Sequence, residues 1–598
     1  MPAQFIGRTD ELATLARLLE QSVQGQGSVL AVAGDPGIGK TRLMAEGARL
    51  AASRGFRVLW SQMIEDPVAP PYFPWLLALR SGLQQIDDET LRSDLGSGAR
   101  DVADLLPELA DRLGIPPPRE AGDANTARFR LFDSIARFLL ALARRQPLIL
   151  LFDNLHLADR STLQLLEYCC RQITTSPIVM VIAYRGSEVG ESQPLQGMLG
   201  RIARTVGFES LELRGLARND VARLLHARLG QPAGPAIVDA LFERSDGNPL
   251  YVCEVAAELQ RRVAADALAT LAIDFKLPDS LREVIAERLA SLDQRTLGLL
   301  RTAAVLGRDF DAGLLATVVQ QDLELITPAL DAARAAGVTV ALEPRRFRFQ
   351  HALFREVLYE QHGRQERIAL HRAAAVGLER SSSPSNSTSI AQLAYHYFES
   401  ARAGHDARAV RYCREAAREA LARRAYGEAV VQLERALQVV ELAADLDSLA
   451  RYEVLSALGD AQYRAGSVNQ AAQTLLKAAL LAHRLEWWDR LPDAVIELQN
   501  MLGQIGIGHV AAVPLHQVAI DHLPEGALAT RVRLLASMSL AYRYQRDGER
   551  ATATLYESVR LARALGDATV LMASLQRATW VLWETPEGAI QEAMLREA

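Results

Sequence analysis

Residues 28–52, SVLAVAGDPGIGKTRLMAEGARLAA, decide the fold of this chain. The opening "SVLAVA" is a short apolar run of the kind that forms a buried strand, and "TRLMAEGARLAA" carries helix formers at helical spacing. Between them, Gly34-Asp35-Pro36-Gly37-Ile38-Gly39-Lys40-Thr41 satisfies G-x-x-x-x-G-K-[ST]. Strand, loop and helix in that order make a phosphate cradle. Gly34, Gly37 and Gly39 let backbone N–H groups turn inward around oxygens, and the helix start adds the positive end of its dipole. Lys40 is the residue to neutralise β- and γ-phosphate charge, and the Thr41 hydroxyl is the one to hold Mg²⁺. The run Gly34 to Thr41, with Arg42 behind it, is therefore the candidate ATP/ADP site.

The partner signal is "PLILLFDNLHLAD", an apolar strand ending in Asp153. A carboxylate at the C-terminal edge of a parallel strand, facing the phosphate loop, can hold Mg²⁺; a strand terminator is the blander role for the same residue. The next position, where a second acid would activate water, holds Asn154, and an amide cannot accept that proton. Slow hydrolysis is expected, unless Glu65, Asp159 or another acid serves as base.

Outward from this core, short β-rich runs at 29–33, 57–61, 148–153, 178–184 and 211–213 alternate with helical stretches, the pattern of a parallel sheet with crossover helices. A helix-rich insertion containing "DPVAPPYFP" and "GIPPPRE" separates the second and third strands. Beyond Leu213 the sequence reads as helical, with one exception: Val338–Phe349 reads as a β-hairpin turning at Glu343-Pro344, after a helical trio over 279–336. Helices followed by such a hairpin make a winged-helix pattern. The polar run Ser381–Ser389 reads as a loop. The remainder is helical, and Ala429, Ala471 and Ala553 recur at spacings of 42 and 82, near multiples of 41, as in a helix-pair solenoid. Leu458-Gly459, Gly466 and Ala478, and later Ala541, Tyr544 and Gly548, fit tetratricopeptide-like small-residue positions; 487–525 fits poorly, which leaves an irregular helical bundle as the alternative.

The expected architecture is an α/β P-loop NTPase domain (1–215), a small helical domain (216–277), a winged helix (278–362) and an all-α tetratricopeptide-like solenoid (363–598). A length of 598 residues suits about four domains. The net charge of −6 is too small for this length to argue for a nucleic-acid or membrane surface. Four cysteines without paired spacing indicate neither a zinc site nor a disulfide framework, and no apolar run reaches the ~18 residues of a membrane span. A cytoplasmic setting fits.

The ordered set "FIGRTDEL", "GDPGIGKTRL", "LLFDNLHLADRSTL", "VIAYRGSE", "DGNPLYVCEV", "LPDSLREVIAERLASL", "AAVLGRDFD" and "FQHALFREVLY" resembles the STAND-class signal-transduction ATPases, over residues from about 5 to 360. The ATPase modules of large LuxR-type regulators, including the maltose-regulon activator, and of multidomain adenylate/guanylate cyclases are the nearest in pattern. The resemblance implies a switch in which ADP holds a closed form, while inducer binding at a sensor array and exchange for ATP open it and drive oligomerisation. It also implies site roles. Arg185 would read the γ-phosphate, or serve as a surface ion-pair partner. Pro249 in "GNP" would pack near the adenine, or simply start a helix. His351 would contact the β-phosphate of ADP, or be structural, and Arg8 would lie over base and ribose, or cap the helix beginning near Thr9. Lys40, Asp153 and Arg185 form the implied catalytic set, with Thr41 and Asp153 toward the metal.

"RRFRF" (Arg345–Phe349) alternates basic and aromatic residues, which suits single-stranded nucleic acid or a half-buried hairpin with Phe347 and Phe349 inward. The hairpin is favoured, so no direct DNA contact is expected of this chain. LuxR-type members carry a C-terminal helix-turn-helix and cyclases a catalytic domain before the ATPase; neither pattern occurs here. Three function classes follow: a STAND switch acting on a separate partner through its repeats, a transcriptional regulator truncated before its DNA-binding domain, or the regulatory half of a cyclase relative. The first is preferred. The inducer or protein partner of the repeats is not legible.

Overall fold

The computed structural model describes residues 5–63, 71–83, 86–115, 124–186, 194–262, 281–381, 390–404, 406–442, 448–504, 509 and 511–582. The chain forms two compact units, Met1–Ala403 with Arg423–Ala425, and Gly404–Ala422 with Tyr426–Ala598. Among the described residues no helix is long and apolar enough to cross a membrane.

The first unit is built on five strands: β1 (Ser28–Gly34), β2 (Arg57–Gln62), β3 (Leu148–Asp153), β4 (Ile178–Tyr184) and β5 (Phe208–Leu213). Their order is β2-β3-β4-β1-β5, and every neighbouring pair is parallel. All of β3 is buried, as an unbroken "LILLFD" run requires when helices cover both faces of a sheet. The edge strand β5 keeps Glu209 and Glu212 partly or fully exposed, and its polar content is why it reads three residues short in sequence. Leu15, Leu18 and Leu19 of the helix Thr9–Val23 pack with Leu30, Val32, Ile149 and Val181. Each such side chain contributes about 1.5–3 kcal/mol on burial. The helix Lys40–Ser53 meets the helix Thr9–Val23 at Gly47, where a Cβ would stand 2.2 Å from Leu15 Cδ2.

The register pairs Gln62 with Asp153 and Ala33 with Tyr184, so the C-terminal ends of β1 to β4 lie along one edge of the sheet. Asp153 is the last residue of β3, and the phosphate loop and Arg185 follow the ends of β1 and β4. In an open parallel sheet this edge is where ligands bind.

Three helices, Arg218–Leu229, Pro235–Ser245 and Pro249–Arg262, share a small core of their own. Next come the helices Leu281–Ala290, Gln294–Leu306, Ala312–Val319 and Leu323–Ala335, four where a trio was expected. A three-stranded antiparallel sheet accompanies them: β6 (Asp309–Asp311), β7 (Thr339–Glu343) and β8 (Arg346–Phe349), in the order β6-β8-β7. The hairpin is present, but it turns at Pro344-Arg345, one residue later than the expected Glu343-Pro344, because Glu343 still pairs with Arg346 as the last residue of β7; β6 is an addition the sequence reading lacks. Three residues, "DFD", carry no readable period, and the strand exists only through its pairing with β8. Phe347 and Phe349 point inward against Phe310, while Arg348 grips Asp309 through both carboxylate oxygens at 2.6 Å. The hairpin reading of "RRFRF" therefore holds: its phenylalanines are core and Arg348 is in an ion pair.

The helices Arg364–Ser381 and Ile390–Ser400 belong to the first compact unit. The loop expected at Ser381–Ser389 lies, apart from its first residue, outside the described residues. The described part of the second unit consists of four helix pairs, Ala407–Ala422 with Tyr426–Glu441, Ser448–Arg464 with Val468–Arg484, Leu491–Gln504 with Ala512–Asp521, and Leu528–Tyr544 with Gly548–Leu565, followed by the helix Ala568–Val581. Gly459 permits one pair to close, because a Cβ there would lie 2.5 Å from Leu475 Cγ. Ala429 and Ala471 are both fully buried as the fourth residue of their helices, but Ala553 is exposed, and Ala551 takes the equivalent place in the helix Gly548–Leu565. Register is set by where each helix starts, which sequence spacing alone missed by two residues.

Candidate functional site

The loop after β1 is bent by left-handed glycines, with φ of 78° at Gly37 and 103° at Gly39. Only glycine adopts such angles without strain. Lys40, buried at the helix start, donates from Nζ to the carbonyls of Gly34 at 2.6 Å and Asp35 at 2.9 Å, so the ammonium stays folded over its own loop. Thr41 Oγ1 donates to Asp153 Oδ2 at 2.6 Å, and Gln62 Nε2 approaches the same oxygen at 3.4 Å. Asp153 is fully buried at the end of β3. Burial pushes its carboxyl upward, while the Thr41 hydroxyl, the Asn154 N–H and the charges of Lys40 and Arg308 pull toward the ionised form. A hydroxyl and a carboxylate side by side form an oxygen donor set that suits Mg²⁺.

Asn154 has a left-handed backbone, φ 57°, which asparagine tolerates better than most residues. Its N–H donates to Asp153 Oδ1 at 2.9 Å, and its amide reaches the Met63 carbonyl at 3.4 Å. Asp159, the alternative base, is committed elsewhere: its carboxylate caps the helix Arg160–Gln172 through Thr162 N at 2.9 Å and accepts from Tyr72 N at 3.3 Å. Glu65 lies outside the described residues.

The turn before Pro249 clamps the phosphate loop. Asn248 Nδ2 donates to the Pro36 carbonyl at 3.0 Å, its Oδ1 accepts from Leu250 N at 3.0 Å, and Leu250 N also lies 3.3 Å from the Gly37 carbonyl. Arg8, itself left-handed at φ 64°, braces the loop from another side. Its guanidinium donates to Ile38 O at 3.0 Å, Arg214 O at 2.6 Å and Glu11 at 3.0 Å. Arg42 pairs with Glu46 at 3.1 Å.

These elements enclose a cleft of about 1430 Å³, ample for a nucleoside triphosphate. Arg8, Pro36, Gly37, Ile38, Gly39, Lys40, Thr41, Arg42, Arg185, Pro249 and His351 all line it; the buried Gly34 and Asp153 and the exposed Asp35 do not. Arg185 follows β4 and lies 3.8 Å from Glu356, in the helix Ala352–Glu360, so it is both a cleft residue and an ion-pair partner. Pro249 is the first residue of its helix as well as a wall residue. His351 precedes the helix Ala352–Glu360 and lies 3.8 Å from Glu254; burial holds its imidazole below the usual histidine range, hence neutral near pH 7.

Four further basic residues line the cleft that motif reasoning did not single out: Arg223, Arg228, Arg288 and Arg308. Among the described residues Glu254 is the single acid in the wall, and it is held by the guanidinium of Arg288. Arg288 and Arg308 sit inside quoted motifs, "AERLASL" and "LGRDFD", but only the tertiary fold brings them to the phosphate loop. The resulting surplus of positive charge fits a polyanionic ligand.

Residues 4–182 match the family model of the AAA ATPase domain, and the N-terminal part of the chain is such a domain. An uncharacterized protein of Rhizobium meliloti is 25% identical over 488 residues, covering 76% of this chain and 44% of that protein, so the chain matches less than half of that relative's length. Among solved structures, the chain is similar to a Signal Transduction ATPase with Numerous Domains (STAND) protein with a tetratricopeptide repeat sensor from Pyrococcus horikoshii. That likeness has 13% identity, a TM-score of 0.42, and covers 99% of this chain and 84% of that one. A Walker-type ATPase of Pyrococcus abyssi is similar at 15% identity and TM-score 0.29, over 59% of this chain and 96% of that one.

Proposed function

We propose that this AAA ATPase domain works as a nucleotide-controlled switch of the STAND type, with ADP/ATP exchange and slow hydrolysis deciding between a closed and an open form. The observation that carries this is the composition of the cleft wall. One cavity is lined by the phosphate loop, by Arg185 after β4, by Pro249 at the start of a later helix and by His351 beyond the β7–β8 hairpin. A nucleotide seated there touches segments more than 300 residues apart in sequence, and its binding energy then depends on how those segments are arranged.

The roles follow from position. Gly37 and Gly39 turn backbone donors toward phosphate oxygens, Lys40 supplies charge, and Thr41 with Asp153 would hold Mg²⁺. When bound, Mg²⁺ neutralises charge on the phosphates during cleavage. Arg185 reads the terminal phosphate and carries the signal to Glu356. His351, neutral, offers an N–H to the β-phosphate of ADP. Asn154 orients water without accepting its proton, which keeps hydrolysis slow. ATP-driven opening exposes surfaces for self-association, and the helical repeats serve as the sensor for an inducer or protein partner.

Lys40→Ala and Asp153→Ala should each weaken Mg-ATP binding at least about tenfold in a fluorescent-nucleotide titration, as loss of a charged hydrogen-bond partner entails. Unchanged affinity in both would remove the site. His351→Ala should loosen ADP more than ATP; equal effects would contradict its role.

A further inference from the structure

We infer that Arg308 is a second cationic reader of the nucleotide's terminal phosphates, one that acts from the winged-helix region. The inference rests on the nucleotide reading of the cleft. Arg308 follows the helix Gln294–Leu306 across Gly307, whose φ of 137° lets the chain turn sharply into β6. Its backbone is fixed there, because the Arg308 carbonyl accepts from Phe349 N at 3.0 Å, and β6 is zipped to β8 on the next three residues. The neighbouring Asp309 carboxylate is held by Arg348 through both oxygens. A guanidinium on so constrained a base reaches a defined place.

That place is given by what shares the wall and what feels the charge. Arg308 lines the cleft with Lys40, Thr41, Arg185 and His351. Its positive charge opposes protonation of His351, which shares that wall with Thr41, so the guanidinium stands within electrostatic reach of that side chain. Asp153 and Thr41 mark the metal end of the phosphate loop, where the last phosphates of a nucleotide lie. A forked donor at that position is matched to phosphate oxygens in a way a point charge is not. Because Arg308 belongs to the winged-helix region and Lys40 to the sheet, gripping one phosphate chain from both would draw the two together.

The test uses the full chain with Arg308→Gln, Arg308→Lys and Lys40→Ala, each titrated with Mg-ATP, alongside thermal unfolding without nucleotide. Arg308→Gln should weaken ATP by about tenfold or more, Arg308→Lys should recover part of the loss, and the unliganded unfolding midpoint should stay at the wild-type value. ATP affinity unchanged in Arg308→Gln but lost in Lys40→Ala would overturn the inference while leaving the nucleotide site standing. Affinity unchanged in Lys40→Ala as well would bring down the nucleotide reading itself. Equal losses in the Gln and Lys variants with a lowered midpoint would assign Arg308 a structural role and also overturn it.

Discussion

Asn248 performs two tasks with the two ends of one amide, and they can be separated. Its oxygen caps the helix Pro249–Arg262, accepting from Leu250 N at 3.0 Å and Tyr251 N at 3.5 Å, while its nitrogen holds the Pro36 carbonyl of the phosphate loop at 3.0 Å. Asn248→Ala removes both. Loss of the cap costs about 0.5–2 kcal/mol, and the abandoned carbonyl about 1 kcal/mol more, or roughly 1.5–3 kcal/mol together. Asn248→Asp keeps the acceptor and so the cap, but it loses the donor and sets a carboxylate against the Pro36 oxygen beside the phosphate cradle. The Ala variant should therefore lower both the thermal midpoint and the ATP affinity. The Asp variant, which keeps the cap and loses only the clamp, should lower the midpoint less than the Ala variant, by about 1 kcal/mol, while ATP binding falls by about tenfold or more, each tenfold corresponding to about 1.4 kcal/mol. Differential scanning calorimetry and a fluorescent-nucleotide titration read the two effects separately. An Asp variant that binds ATP as tightly as wild type would refute the clamp.

Asn154→Asp puts a carboxylate at the position proposed to orient water, at a left-handed site that aspartate also tolerates; single-turnover hydrolysis should rise about tenfold or more, and no rise would move the water-positioning role elsewhere. Gly459→Leu in the second unit cannot be accommodated, since even a Cβ falls 2.5 Å from Leu475 Cγ; a loss of about 1–3 kcal/mol in urea unfolding is expected, and an unchanged midpoint would contradict the packing. Burial depresses His371 to about 3, and His396 and His516 to about 4. Below the unfolded value near 6.5 the unfolded chain binds protons the folded one does not. Stability should thus be level above pH ~6.5 and fall as pH drops toward 4, by up to about 1.4 kcal/mol per pH unit for each histidine; urea midpoints that hold or rise between pH 7 and 5 would contradict this.

What was legible in sequence is what local chemistry determines. Strand, glycine loop and helix from Ser28 to Ala52 are contiguous, so the cradle could be placed residue by residue, and "LILLFD" declares a strand buried on both faces. Phe347 and Phe349 alternate with Arg346 and Arg348, which set the inward face of the hairpin. What was not legible depends on partners distant in sequence. The strand Asp309–Asp311 needs β8, Arg288 and Arg308 reach the cleft only through the packing of the winged-helix region, and Asp159 is a helix cap rather than a free acid. Ala551 replaces Ala553 in the repeat register because the start at Gly548, with Asp547 capping it, sets which face is buried.

The most direct measurement is to denature the purified protein, identify any released nucleotide by chromatography, and follow ATP hydrolysis by the intact chain. Tightly held ADP, with turnover of a few per minute or slower against the usual enzyme range of roughly 1–10³ per second, is the expected result for a switch. No released nucleotide together with fast turnover would contradict it and point to an ATPase that drives a substrate.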